Sequence, residues 1–188
     1  MPTYCLEQNH QKDKKTLALA SALFPREEWI PTETNIWVAK SRLSQEKREP
    51  EKWEIEMAQV RILTNRGSVA YFLPERLIQG ESGRLCADLV LDGEVVEIKT
   101  VAGTRATLGT QFKYGYKQGS LLVKNCSLTK KHSVFIWILS EMSIGSVKAK
   151  IAGELKDRHD NGSFLCYFEE TNELHIWSYE ELRLIIRK

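Results

Sequence analysis

Three ionisable residues in the stretch ADLVLDGEVVEIKT, residues 87–100, stand at intervals that chemistry can use: Asp88, Glu97 and Lys99. Asp92-Gly93 separates two β-favouring runs, and a type I′ hairpin turn needs the positive φ that Asp-Gly supplies. A two-residue loop there sets Leu91 opposite Glu94, Val90 opposite Val95, Leu89 opposite Val96 and Asp88 opposite Glu97. Side chains alternate faces along a strand, so Lys99 shares a face with Glu97. Directly opposed residues have Cβ atoms about 4.5–5.5 Å apart, and two carboxylates at that distance repel. Burial makes this worse by stripping water from both. The conflict is relieved by sharing a proton, which raises one pKa, or by a hard divalent cation such as Mg²⁺ or Mn²⁺ that takes oxygen ligands. Two carboxylates, a cation and a lysine are the parts of a phosphodiester-cleaving site. The ion polarises phosphate and activates water, and the ammonium positions the nucleophile or meets the developing charge. The plain alternative is a solvent-facing cluster, because Glu-x-Lys recurs throughout charged sequences. Against it, Ala87, Leu89, Val96 and Ile98 on one face and Val90 and Val95 on the other are apolar, which places the hairpin centrally in a sheet.

The elements that must hold this hairpin can be read on either side of it. EKWEIEMAQVRILTNRG, residues 51–67, carries Trp53, Met57, Val60 and Leu63 at helical spacing, with Ile55, Ala58 and Ile62 widening the face. Asn65-Arg66-Gly67 ends that helix, since glycine accepts the left-handed conformation. SVAYFLPE, 68–75, reads as a short strand, and Leu77 to Arg84, with Gly80 and Gly83, as a loop. After the hairpin, residues 101–125 form a loop and then a helix from about Leu108. Gly109, Gly115 and Gly119 weaken it intrinsically, so tertiary contacts must support it. SVFIWILSE, from Ser133, is a strand of the fully buried kind. FLCYFEE and ELHIWS form a second hairpin around Thr171-Asn172, and Ser178 to Glu181 has capping-box spacing ahead of a final helix, EELRLIIRK. The order from residue 51 is helix, strand, strand, strand, helix, strand, then a β-rich extension, which predicts an α/β sandwich.

Composition narrows the class. With 188 residues, 42% hydrophobic and 28% charged, the chain can bury a sizeable core as one decorated domain. A formal net charge of +2 does not announce a nucleic-acid binder, so a phosphate-binding surface must come from local clustering. Arg105, Lys113, Lys117, Lys124, Lys130 and Lys131 offer such a rim, or else a solvated basic patch. Cys5, Cys86, Cys126 and Cys166 are widely spread with no C-x-x-C pair, the pattern of inert reduced thiols. No apolar run reaches the ~20 residues that cross a bilayer. Lys12 to Ala22 reads as a short amphipathic helix rather than a cleaved signal, because its apolar core is short and Glu7 and Asp13 precede or interrupt it. Residues 1–50 form an N-terminal helical appendage broken by Pro25, Pro31 and Pro50, with Ser41 to Glu51 as a charged exposed connector or polar helix. Trp29, Ile30, Ile36, Trp37 and Val38 imply that it packs on the core.

Asp88, the hydrophobic hairpin and Glu97-Ile98-Lys99 resemble the PD-(D/E)xK nuclease superfamily, whose core order is the one read above. Within it, GRLCADLVLDGEVVEIKTV with the downstream Lys117-Gln118 is similar to the C-terminal tRNA nuclease domains of contact-dependent growth inhibition toxins (the CdiA type) and their stand-alone relatives. The resemblance covers about residues 51–140 and is best between Gly83 and Val123. It implies a restriction-endonuclease-like α-β-β-β-α-β core within a nuclease-like domain, 51–188, carrying a β-rich extension from 141 to 188. It implies Asp88 and Glu97 as ligands of Mg²⁺ or Mn²⁺ and Lys99 near the scissile phosphate. Lys117 and Gln118 would contact the attacking water or the substrate backbone, and the basic rim read above, Lys113, Lys117 and Arg105 in particular, would then face the nucleic acid. The family also implies a glutamate ligand on the first helix. Glu54 and Glu56 are the candidates, and Glu56 is preferred because it directly precedes Met57-Ala58. Ala87 stands where the motif name has Pro, a position that is loose across the superfamily. The expected substrate is tRNA or other RNA, acted on in the cytoplasm, and a toxin of this kind would have a cognate immunity protein. A DNA endonuclease of a mobile element, and a catalytically silent nucleic-acid- or partner-binding module on the same fold, are the alternatives.

Other chemistry is less well placed. His132, His159 and His175 are scattered and read as structural or surface residues rather than a metal-free acid–base pair. Tyr114 and Tyr116 suit base stacking or core packing, and Trp137 is read as core.

Overall fold

Helices and strands alternate in the computed structural model, which describes residues 3–74, 87–126 and 129–186 of an α/β protein. The chain divides into two compact units, Met1–Val95 and Val96–Lys188.

In the first unit, helix α1 (Thr3–Leu23) is longer than the short helix read over Lys12 to Ala22. It lies over the later hairpin turn. Lys12 Nζ donates to the Gly67 carbonyl at 2.8 Å and is 3.6 Å from Asp92, while Asp13 accepts from the Tyr71 hydroxyl at 2.9 Å. The next segment adds strands to the helical appendage read over residues 1–50. Strands β1 (Trp29–Glu33) and β2 (Ile36–Ala39) form an antiparallel hairpin turned at Asn35, whose φ is +62°. Pro31 is tolerated because β1 is the edge strand, where a missing amide hydrogen costs no ladder bond. A 3₁₀ turn (Lys40–Arg42) and the short helix α2 (Ser44–Arg48) lead to α3 (Pro50–Thr64), with Pro50 in the first turn as its missing N–H allows. Trp53, Met57, Val60 and Leu63 are buried as their spacing predicts, but Ile55 is exposed. It lies two residues from Trp53, about 200° around the helix, and so faces away from the core. Gly67 closes α3 at φ +86°, and Ser68 N–H bonds back to Leu63.

Strand β3 (Ala70–Phe72) pairs parallel with β2 and antiparallel with β4 (Leu89–Leu91), so the sheet is mixed. The expected loop from Leu77 to Arg84 lies outside the described residues. Asp92 at φ +49° and Gly93 at φ +82° turn the chain into β5 (Glu94–Val101), which gives the type I′ signature read from Asp-Gly.

In the second unit the strands run β5, β6 (His132–Ile138), β7 (Ser163–Phe168), β8 (Glu173–Ser178) in sheet order. Helix α4 (Arg105–Cys126) begins three residues before the expected Leu108. Helix α5 (Ile144–Glu154), absent from the sequence reading of a β-rich extension, makes the crossover between the parallel strands β6 and β7. Ser143 caps it by accepting from Ser146 N–H. β7 and β8 form the expected hairpin, turning at Asn172 with φ +56°. The capping box closes as read, with Glu181 N–H to Ser178 Oγ at 3.1 Å and Ser178 N–H to Glu181 at 2.8 Å, and opens α6 (Tyr179–Ile186). The core packs Phe112, Tyr116, Phe164 and Tyr179 among aliphatic residues of β6, α5 and α6. Cys166 is a buried free thiol, its pKa raised by burial.

Candidate functional site

In the first unit Asp88 immediately precedes β4, and its carbonyl extends the ladder by accepting from Leu73 N–H at 2.9 Å. Its side chain is 19% exposed. Glu56 projects from the buried face of α3, as preferred in the sequence, whereas Glu54 is exposed and 3.6 Å from Arg61. Between Glu56 and Asp88 lies a residue the sequence reading did not single out. Arg42, 3% exposed, places Nη2 2.7 Å from Glu56 Oε2 and 3.8 Å from Asp88 Oδ1. Its Nη1 donates to the carbonyls of Leu73 and Asp88 at 2.9 and 3.0 Å, and its Nε to Gln45 Oε1 at 3.0 Å. Gln45 in turn donates to Glu56 Oε2 at 3.2 Å, and the guanidinium lies 4.9 Å above the Phe72 ring. Burial raises the Glu56 pKa, the Arg42 cation opposes that shift, and the nearby Asp88 charge adds to it.

In the second unit Glu97 is wholly buried, while Lys99, two residues along the same face of β5, is 21% exposed and donates to Glu97 Oε1. The room for that carboxylate comes from α4. A methyl group on Gly115 would stand 3.3 Å from Glu97 Cγ and 3.0 Å from Val134, and one on Gly119 would stand 2.7 Å from His132. The glycines that weaken this helix on propensity grounds therefore let it lie close against the strands. Gln118, one turn beyond Gly115 and half-buried, flanks that face, whereas Lys117 is exposed. Lys113, Lys117 and Lys124 fall within about 40° of one another on the exposed side of α4 at 3.6 residues per turn. Lys113 is also paired with Glu154 at 3.1 Å, and Arg105 is exposed at the start of the helix. Tyr114 is exposed and Tyr116 is core, which separates two residues that were read together. Trp137 is half-buried and donates to Glu169 at 2.8 Å.

Of the histidines read from the sequence, two have side-chain partners and His159 is exposed. His132 is buried against Tyr116 and Tyr179, 3.3 Å from Asp160, and His175 lies 3.2 Å from Glu173.

Among the described residues no three His, Cys, Asp or Glu side chains gather as a metal-binding group. The donor set nevertheless suits a hard cation in kind. In the first unit Asp88 and Glu56 offer carboxylate oxygens, and Mg²⁺ is usually held by one or two carboxylates with water and substrate phosphate. Comparison with family models, curated proteins and solved structures finds no match to this chain. Nor is any helix among the described residues long and apolar enough to cross a membrane.

Proposed function

We propose that the protein is a metal-dependent nuclease of the PD-(D/E)xK kind, with tRNA or other RNA as its substrate. The observation that carries this reading is the burial of Glu97 with Lys99 donating to it. A solvent-facing Glu-x-Lys ornament would leave both groups in water, where an exposed ion pair is worth little. A buried carboxylate beside a lysine is costly unless the geometry is used. The chain order α3, β3, β4, β5, α4, β6 and the type I′ turn between Asp88 and Glu97 support it further.

In this reading Asp88 and Glu97 hold Mg²⁺ or Mn²⁺, with Glu56 as a further carboxylate. The ion supplies Lewis acidity toward phosphate and an activated water. Lys99 directs its ammonium at the nucleophile, and Gln118, beside the Gly115 face, orients the water or the phosphate backbone. Lys117, Lys113 and Arg105 carry the electrostatic contact with nucleic acid, which makes binding fall with rising salt. An immunity partner and a cytoplasmic site of action belong to the same proposal.

The test is cleavage of RNA and of DNA by purified protein with Mg²⁺, with Mn²⁺ and with EDTA. The expected outcome is metal-dependent cleavage of RNA, abolished by EDTA and reduced at least 100-fold in Lys99→Ala. Cleavage of DNA alone would transfer the activity to the mobile-element alternative. No cleavage of either, with metal binding unchanged in Asp88→Ala, would leave a binding module and end the enzyme reading.

A further inference from the structure

We propose that strand β8 is a self-association edge, pairing antiparallel with β8 of a second copy of this chain about a two-fold axis at His175. The inference is independent of the nuclease reading above. In sheet order β8 comes last, with β7 alone beside it among the described residues. An open edge invites pairing with another chain, and folds usually blunt it with proline, lysine or a bulge. β1, the other strand at an end of the order, carries Pro31 and an irregular register between Pro31 and Glu33. β8, with the sequence ELHIWS, has no proline, lysine or arginine and keeps an unbroken register against β7. It also leaves the Ile176 side chain 58% exposed.

The backbone decides which groups that edge offers. Opposed residues of an antiparallel pair alternate between exchanging both ladder bonds and exchanging none. Tyr179 N–H bonds to the Gly162 carbonyl at 2.9 Å, one step beyond the Ser163–Ser178 pair, so Trp177, His175 and Glu173 are the residues that bond to β7. Leu174, Ile176 and Ser178 then turn their amides and carbonyls outward. Ser178 N–H is taken by Glu181 at 2.8 Å, which leaves Leu174 and Ile176 as the open segment. A two-fold axis at His175 sets Leu174 of each copy against Ile176 of the other, where the two exchange ladder bonds and Ile176 is covered. On the opposite face it sets Glu173 against Trp177 of the second copy, with Cβ atoms about 4.5–5.5 Å apart. Lys148 of α5 lies 5.5 Å from the centre of the Trp177 ring, so the carboxylate of each copy meets an ammonium of the other. This charge complementarity selects a second copy as the occupant. The two His175 rings meet at the axis, each 3.2 Å from its own Glu173.

Sedimentation equilibrium of the full chain over a range of concentrations tests this, with circular dichroism to show that each variant is folded. The wild type is expected at twice the mass of one chain. Ile176→Lys changes an exposed side chain and is expected to raise the dimer dissociation constant about 10-fold or more while the chain stays folded. Glu173→Lys places two ammonium groups together at each contact and is expected to weaken the dimer likewise. Adding Lys148→Glu to Glu173→Lys restores opposite charges across the axis and is expected to recover the dimer. A wild-type chain that keeps the mass of one copy up to about 100 µM overturns the proposal. An unchanged dissociation constant in Ile176→Lys or in Glu173→Lys also overturns it, as does a folded double variant no tighter than Glu173→Lys alone.

Discussion

Glu97 and His132 are both ionisable and both buried, in different surroundings. Glu97 keeps Lys99 as a neighbour and lies under the glycine face of α4. His132 sits among Tyr116 and Tyr179 and faces Asp160, with Lys124 near enough to bear on its charge. Burial lowers the His132 pKa, Asp160 opposes this, and Lys124 adds to it. Because the folded value lies below the ordinary one near 6.5, the unfolded chain binds the proton more readily between the two. The stability this contributes is complete above pH 6.5 and is lost as pH falls from there toward the depressed value. Glu56, with a raised pKa, acts with the opposite sign in the range just above 4.5. Thermal melts of His132→Asn are therefore expected to depend less on pH just below 6.5 than those of the wild type, and parallel slopes would contradict this. Asp88, Glu97 and Lys99 could be singled out in the sequence because a hairpin relates them through a few residues of local geometry. Arg42 and Gln45 could not. Arg42 lies 14 residues from Glu56 and 46 from Asp88, inside a charged segment that locally resembles an exposed connector.

The same division between local and long-range signals holds for the elements. The Asp92-Gly93 turn, the Asn172 hairpin, the buried face of α3 and the capping box of α6 are each set by neighbours within a few residues, and each was legible. Strands β1 and β2 were not, because β1 is a short edge strand containing Pro31 and β2 has only four residues. Helix α5 was hidden by Gly145 and Gly153 and by a buried face of three residues, Val147, Ile151 and Ala152. Glycines in α4 gave the opposite lesson: propensity marked them as weaknesses, and packing explains two of them. Gly115→Val would gain helix propensity but force its branches against Val134 and Glu97. The expected balance is a loss of about 1–3 kcal/mol, as for overpacked cores, measured by urea denaturation. A variant as stable as the wild type would mean that α4 can move away from β5 and β6 without cost.

For the molecule as a whole, a net charge of +2 hides an uneven distribution. The cationic stripe of Lys113, Lys117 and Lys124 runs along one side of α4, while the opposite side is buried. The proposed function has Asp88 and Glu97, one on each arm of the hairpin, serving one ion. Groups that act as a unit give grossly non-additive losses when removed, whereas independent groups give losses that multiply. The most direct test is the single-turnover rate of RNA cleavage in saturating Mn²⁺ for the wild type, Asp88→Asn, Glu97→Gln and the double variant. The account predicts that each single change costs at least about 100-fold and that the double variant is no slower than the worse single one. Multiplying losses, or a wild-type rate in either single variant, would contradict a shared ion.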